Sequence, residues 1–276
     1  MTVSTTNIEL ANALAGVTPE SVMFVPTMGA LHEGHLSLVR AARAAGGTVV
    51  VSIFVNPTQF NDPADLKNYP RTPERDLELL RAEGVDVVFM PTVEDIYPEG
   101  QGSQGSGARA YDFGELDKVM EGATRPGHFA GVAQVVSRLF ELVRPARAFF
   151  GQKDFQQVAI VREMVRQARA EGANWAGVEI VECPTMREAD GLARSSRNVL
   201  LSPEHRAAAP DIHRALQLGA QKAKELSRRE LTEYVTSETE RGGLLRVIYF
   251  DFMGPQACVA VQAGAVRLID NMRYDN

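Results

Sequence analysis

The segment VMFVPTMGALHEGHLSLVRAARAAGGTVVVSIFVNPTQF, residues 22–60, contains the pattern that decides the fold. Its two apolar runs, Val22–Pro26 and Thr48–Val55, predict strands covered on both faces, because their apolar residues do not alternate with polar ones. The residues between them predict a helix at Gly34–Ala45. A strand, a helix and a second strand in this order predict a βαβ unit with parallel strands.

The same alternation continues along the chain. Further strands are predicted at Val85–Met90, Arg147–Phe150 and Val178–Glu182, and further helices at Pro73–Glu83, Ala130–Val143 and Phe155–Glu171. We therefore expect an α/β fold, a Rossmann-like doubly wound parallel sheet formed by residues 1–182. In such a sheet, ligands bind at the carboxyl ends of the strands.

The pattern changes after Glu182. A long charged helix is predicted from Pro203 to about Ser227, and another at Arg229–Arg241. Strand-like runs follow at Leu245–Phe252, Cys258–Val261 and Val266–Ile269. Residues 183–276 are therefore predicted to form a smaller C-terminal α+β domain.

Composition excludes several classes of protein. The net charge of −6 argues against a nucleic-acid partner, whose binding surface is normally basic. No apolar run approaches the roughly 18 residues of a membrane span. The N-terminal residues lack the basic and apolar regions of a signal peptide. Cys183 and Cys258 form no disulfide framework, and we expect reduced thiols in a cytoplasmic protein.

One glycine-rich stretch matches a cofactor motif without its context. GQGSQG, residues 100–105, fits the dinucleotide fingerprint G-x-G-x-x-G. That fingerprint requires a preceding strand and a following helix, which this stretch lacks. We predict a flexible loop instead.

His32 and His35 follow the first predicted strand, close to the start of the next helix. They could bind a metal, fill or cap the structure, or contact phosphate. Zinc-binding helices use an i, i+4 spacing and a third ligand, whereas the spacing here is i, i+3. Exposed N–H groups and the dipole at a helix start favour an anion, so phosphate contact is the favoured interpretation.

Three more polar stretches follow predicted strands. NPTQF offers the amides of Asn56 and Gln59 for a hydroxyl-bearing substrate, although an Asn-Pro turn is a plain alternative. GQKDFQQ offers Lys153 to a phosphate, or forms an ordinary solvated helix start. SSR, residues 195–197, suits triphosphate oxygens or forms a surface loop.

Taken together, these motifs closely resemble the pantothenate synthetase (pantoate–β-alanine ligase) family, of the H-x-G-H nucleotidylyltransferase superfamily. The resemblance extends from about Val25 to Asn271. It rests on the segments PTMGALHEGH, FVNPTQF, RPGHFAGV, GQKDFQQ, READGLARSSRN and RLIDN.

The resemblance implies a two-step reaction. The carboxylate of pantoate attacks the α-phosphorus of ATP, giving pantoyl adenylate and pyrophosphate, and the amine of β-alanine then displaces AMP. By the same resemblance His35, His32 and Lys153 are catalytic, and Asn56, Gln59 and Gln157 bind substrate. The implied ATP-binding residues are Met28, Gly29, Ala30, Leu31, His32, Glu33, Gly34, His35, Gly151, Gln152, Lys153, Asp154, Met186, Arg194, Ser195, Ser196 and Arg197.

The resemblance also implies Mg²⁺ bound to the phosphates, with Asp76 as a candidate outer contact, and a homodimer. Three positions depart from the family pattern. The family usually has Glu where Gln152 stands, Tyr where Phe155 stands and an apolar residue where Arg194 stands. Arg194 therefore adds a charge beside the predicted nucleotide loop.

Overall fold

The structure is a computed structural model that describes residues 1–98, 100 and 110–274. The chain divides into two compact units. The first unit comprises Met1–Gln152 and Gln157–Cys183, and the second comprises Lys153–Gln156 and the residues from 184 onward. Most of the GQGSQG stretch, residues 101–105, lies outside the described residues.

The first unit contains a six-stranded sheet in the order β1-β4-β3-β2-β5-β6, and every pairing in it is parallel. Its strands are β1 (Thr2–Ser4), β2 (Val22–Thr27), β3 (Thr48–Ile53), β4 (Val87–Phe89), β5 (Arg147–Gly151) and β6 (Glu179–Cys183). The predicted doubly wound sheet is confirmed. The short edge strand β1 was not predicted, because three residues carry too little periodicity.

Helices accompany the strands of this sheet. They are α1 (Asn7–Ala13), α2 (Glu33–Ala44), α3 (Pro63–Asn68), α4 (Pro73–Ala82), α5 (Val93–Ile96), α6 (Met120–Thr124), α7 (His128–Val143) and α8 (Phe155–Ala170), whose first two residues belong to the second unit. The four predicted helices are present, and α7 begins two residues earlier than predicted. Among the described residues, no helix has the length and apolar character needed to cross a membrane.

Both faces of the sheet are buried, as the unbroken apolar runs predict. Along β2, Val22 and Phe24 pack into one hydrophobic cluster, whereas Met23 and Val25 pack into another. Successive strand residues point to opposite faces, so each cluster covers one face. Strand order reverses between β2 and β5, and the carboxyl edge at this reversal is where open α/β sheets bind ligands.

The second unit contains the antiparallel sheet β7-β8-β9. Its elements are α9 (Pro203–Ala208), α10 (Asp211–Lys222), α11 (Arg228–Glu240), β7 (Leu245–Met253), β8 (Gln256–Ala263) and β9 (Val266–Arg273). The prediction of one helix from Pro203 to Ser227 was wrong. Pro210 separates α9 from α10, because proline has no N–H and its ring obstructs the preceding turn.

Candidate active site

The loop after β2 is tied to the neighbouring strand. Thr27 Oγ1 donates to the Ser52 carbonyl at 2.7 Å and accepts from the Gly29 N–H at 3.1 Å. Gly29 has a φ of 77°. A Cβ built there would lie 3.0 Å from both Asp76 Oδ2 and Ile53 Cγ2. Gly29 thus combines a left-handed backbone with a close approach to its neighbours.

Asp76 of α4 fixes the next part of this loop. Its Oδ2 accepts from the Ala30 N–H and its Oδ1 from the Leu31 N–H, both at 2.8 Å. Thr72 Oγ1 also donates to Oδ1 at 3.0 Å. Asp76 is only 1% exposed. Its carboxylate therefore acts as a buried anchor for the loop, a role that the sequence did not suggest.

The two histidines form the start of α2. His32 is the N-cap, and its Nδ1 accepts from the Gly34 N–H at 3.1 Å. His35 Nδ1 accepts from the His32 N–H at 3.3 Å, which completes a capping box. The ring centroids lie 4.0 Å apart. An accepting nitrogen carries no proton, so each neutral ring has its proton on Nε2. Capping and phosphate contact therefore use different nitrogens and are compatible.

A cluster of neutral amides lies after β3. Asn56 Nδ2 donates to Gln59 Oε1 at 3.2 Å and to the Gly131 carbonyl at 3.1 Å. Gln59 Nε2 lies 3.2 Å from Met28 Sδ. Tyr97 Oη donates to Asn56 Oδ1 at 2.7 Å, and burial raises the Tyr97 pKa to about 12. The structure thus brings together Met28, Asn56 and Gln59, which come from two different motifs.

The RPGHFAGV motif holds this cluster in place, a role that the sequence did not assign. Arg125 Nη2 lies 3.2 Å from the Gln59 carbonyl, and His128 Nδ1 lies 2.8 Å from the same oxygen. At Gly131, a Cβ would meet the Thr58 carbonyl oxygen at 2.5 Å. Glycine is required there because helix α7 packs directly on the backbone of the NPTQF turn.

The other residues of the first unit that were predicted to bind nucleotide or substrate lie in several different elements. Leu31 is buried in a hydrophobic cluster, and Glu33 pairs with Arg40. Gly151 ends β5, and Gln157 is half-buried within α8. Gln152 begins the 3₁₀ turn Gln152–Asp154.

The second unit contains the other predicted nucleotide residues. Lys153 Nζ lies 3.2 Å from Asp154 Oδ1. Residues 186–194 form a small hairpin, in which Glu188 N donates to the Leu192 carbonyl and Arg194 N donates to the Met186 carbonyl. The Met186 side chain is exposed.

Charged residues stabilise this hairpin. Arg187 makes a bidentate ion pair with Asp270, with Nη1–Oδ2 at 2.6 Å and Nη2–Oδ1 at 2.9 Å. Arg194, the residue that departs from the family pattern, pairs with Glu188 at 2.9 Å. Its charge is therefore balanced within the hairpin itself.

A short 3₁₀ helix follows the hairpin. Ser195 is its N-cap and accepts from the Arg197 N–H at 3.3 Å, and Ser196 is buried. Asn198 Nδ2 donates to the Ala193 carbonyl at 3.1 Å. These contacts hold residues 195–198, the serine-rich segment, to the end of the hairpin.

The chemistry of these residues suits binding and charge stabilisation. The first unit contains neutral amides and two imidazoles with defined tautomers, and the second unit contains a lysine, arginines and hydroxyl groups. Among the described residues, no group of three or more His, Cys, Asp or Glu side chains is arranged to hold a metal ion.

Comparison with known proteins identifies a family. A family model described as pantoate-beta-alanine ligase matches residues 2–273. The chain is 44% identical over 295 aligned positions to pantothenate synthetase of Porphyromonas gingivalis, with 100% of each chain covered. It is 48% identical over 264 residues to the Chloroflexus aggregans protein of that name, covering 90% of this chain and 91% of the relative.

Solved structures agree with this match. Pantothenate synthetase from Thermus thermophilus superposes with a TM-score of 0.88 at 43% identity, with both chains fully covered. Pantoate-beta-alanine ligase from Francisella tularensis, complexed with beta-gamma ATP and beta-alanine, gives a TM-score of 0.86 at 34% identity, covering 100% of this chain and 98% of the other.

Proposed function

Because the chain belongs to the pantoate–β-alanine ligase family, we propose that the motif residues of its two units carry out the two half-reactions of that family. The chain is a ligase that condenses pantoate with β-alanine to pantothenate at the expense of ATP. In the first half-reaction the pantoate carboxylate attacks the α-phosphorus, and pyrophosphate leaves. In the second, the amine of β-alanine attacks the pantoyl carbonyl, and AMP leaves.

The histidine pair is the observation that carries the assignment of catalytic residues. Capping through Nδ1 leaves the Nε2–H of His32 and His35 as the donor of each ring. Both donors belong to the first turn of α2, where the helix dipole favours negative charge. We assign His35 to the charge that develops on the α-phosphate and His32 to the nucleotide. Such preorganised donors stabilise a transition state without reorganising.

The amide cluster is proposed as the pantoate site. Asn56, Gln59 and Gln157 can each donate and accept, which matches a substrate with hydroxyl groups and a carboxylate. Gln59 is also proposed to contact β-alanine. Since the Gln59 backbone is held by Arg125 and His128, the amide is positioned before substrate binds. Preorganisation of this kind reduces the entropy lost on binding.

The second unit is proposed to act on the same ATP. Lys153 and Arg197 supply positive charge, Ser195 and Ser196 supply hydroxyl groups, and Asp154, Met186 and Arg194 complete its nucleotide contacts, together with Gly151 and Gln152 of the first unit. The predicted C-terminal domain, residues 183–276, is proposed to cover the active site of the predicted domain formed by residues 1–182. Acyl adenylation needs charge and in-line positioning more than covalent help from the protein.

Magnesium is proposed to enter with ATP. The described residues form no cluster that fits a protein-held metal. Asp76, the candidate outer contact, already accepts hydrogen bonds on both carboxylate oxygens. Phosphate oxygens and water are therefore the ligands we propose, in keeping with the preference of Mg²⁺ for retaining water.

Transfer of an oxygen atom tests the proposed chemistry. With ATP, Mg²⁺ and pantoate labelled with ¹⁸O in its carboxylate, the protein should release pyrophosphate, and β-alanine should then release AMP carrying one ¹⁸O. AMP without the label would contradict attack of the carboxylate on the α-phosphorus. An adenylyl transferase for another acid would release no pyrophosphate with pantoate, and a nucleotide-sensing module would bind ATP without turnover.

Two further properties belong to this proposal. A homodimer is expected from the family, and light scattering during gel filtration measures the mass directly. A cytoplasmic location is proposed because both cysteines are buried and free, which fits a reducing compartment.

A further inference from the structure

Two consecutive polar residues lie inside the last strand of the second unit. Asp270 and Asn271 of β9 are 4% and 5% exposed. Burying a carboxylate or an amide costs free energy unless its hydrogen bonds are satisfied. Apolar residues would fill a strand of this kind at no such cost. The partners of the two side chains therefore indicate why polar residues stand here.

Asp270 holds the hairpin that precedes the serine-rich segment. It binds Arg187 through two hydrogen bonds of 2.6 and 2.9 Å. Arg187 Nη1 also donates to the Gly191 carbonyl at 3.1 Å. One guanidinium thus joins the strand to both ends of the hairpin turn, and the planar fork fixes its orientation. Residues 194–197 continue directly from this hairpin.

Asn271 holds the 3₁₀ turn that contains Lys153. Its Nδ2 donates to the Lys153 carbonyl at 2.9 Å, and its Oδ1 accepts from Gln256 Nε2 at 2.6 Å. Its own N–H donates to Asp270 Oδ1 at 2.8 Å. The amide is therefore oriented from two sides, with its donor directed at the backbone of Lys153.

Successive strand residues point to opposite faces, so this pair can reach two separate segments. We propose that Asp270 and Asn271 are positioning residues for phosphate binding: Asn271 sets the place of Lys153, and Asp270 sets that of residues 194–197. This inference rests on the proposed function, which assigns both segments to the ATP phosphates. Neither residue is a catalytic residue, because each acts through another.

A double-mutant cycle on ATP affinity tests the inference, because residues that act through one another are not additive. Asn271→Ala should raise the Kd for ATP with Mg²⁺ about tenfold, or about 1.4 kcal/mol, measured by isothermal titration calorimetry. In a Lys153→Ala background, which keeps the carbonyl but lacks the ammonium, Asn271→Ala should change the Kd less than about twofold. Asp270→Asn should raise the Kd for ATP about tenfold both in the unaltered protein and in the Lys153→Ala background, because Asp270 acts through residues 194–197.

Leu268→Ala is the control for a purely structural role. Leu268 is buried in the same strand, so this change should lower the melting temperature and leave the Kd for ATP within about twofold. If Asn271→Ala does not fold, Asn271→Asp replaces it, because a carboxylate cannot donate to the Lys153 carbonyl.

Equal effects of the Asn271 change in both backgrounds would overturn the inference, as would an equal loss of affinity in Leu268→Ala. Failure of the unaltered protein to bind ATP would overturn both the inference and the proposed function. ATP binding without pantothenate formation would contradict the proposed function alone, because the double-mutant cycle measures nucleotide affinity and not turnover.

Discussion

The carboxylate of Asp76 accepts a 2.8 Å hydrogen bond from the N–H of Ala30, a residue 46 positions earlier with a φ of 48°. A left-handed backbone costs a non-glycine residue roughly 1–2 kcal/mol. The buried carboxylate holds Ala30 in this conformation and holds the next amide as well. A carboxylate that was a candidate magnesium contact thus shapes the loop that leads to the histidines.

Asp76→Asn should loosen this loop. The amide keeps one acceptor but turns a donor toward a backbone N–H, so we expect a loss of about 1–3 kcal/mol in the free energy of unfolding and weaker ATP binding. Urea denaturation and calorimetry measure the two effects. Glu74→Gln removes an exposed charge from the same helix turn and should change neither. Equal effects of the two substitutions would contradict the anchor role.

His32 caps α2, and we propose that it also contacts the nucleotide, so substitutions should separate the two roles. His32→Asn should preserve the cap, because asparagine is a favourable N-cap residue, whereas His32→Ala should lose it at a cost of about 0.5–2 kcal/mol. Both should lower ATP affinity to a similar extent, because both lack the Nε2–H. The two variants should differ in melting temperature, measured by thermal unfolding. They should not differ in ATP affinity, measured by ATP titration. Normal ATP affinity in His32→Asn would leave this residue with the capping role alone.

His35→Ala should lower kcat by roughly 10²–10³, as expected for the loss of one transition-state donor. The relevant measurement is pantoate-dependent pyrophosphate release at saturating substrates. Turnover at the level of the unaltered protein would limit His35 to its contact with the His32 N–H.

Gly131→Ala should raise the KM for pantoate, because the new Cβ would displace the turn that carries Asn56 and Gln59. Gly219→Ala provides the matched control, since Gly219 is also helical and its Cβ would meet the Tyr274 hydroxyl at 2.3 Å. Both variants should melt at lower temperatures. Only the first should change the pantoate KM in steady-state assays, and a change in both would remove the specific link to the turn.

His213, which lies in α10, should make the free energy of unfolding depend on pH. Burial, with Arg187 nearby, lowers the His213 pKa below its usual 6.5, against the opposing effect of Asp270. Below pH 6.5 the unfolded chain then binds more protons at His213 than the folded chain does. The contribution of His213 to the free energy of unfolding is therefore fully present above this pH and falls as the solution becomes more acidic. His213→Gln should lose less stability than the unaltered protein between pH 8 and pH 5.5 in urea denaturation. Parallel curves would contradict this account.

Local patterns predicted much of the fold. Unbroken apolar runs identified five of the six parallel strands, and helical periodicity identified the four larger helices between them. Four polar motifs, at residues 28–35, 56–59, 152–157 and 187–197, were recognisable because each follows a strand of the parallel sheet, and parallel strands end at one edge. The break at Pro210 was also present in the sequence, as a residue without an N–H, although the charged helical pattern around it obscured the break.

Contacts between distant residues decided the rest. The sequence by itself determined which motifs are present and that the histidines stand at a helix start, because periodicity and capping act over a few residues. Only the tertiary structure decided that Asp76 anchors the loop, that Arg125 and His128 hold Gln59, and that β9 extends through two buried polar residues. Arg187 and Asp270 are 83 residues apart, and Lys153 and Asn271 are 118 apart. Such hydrogen bonds form only after folding brings the segments together, so no local pattern predicts them.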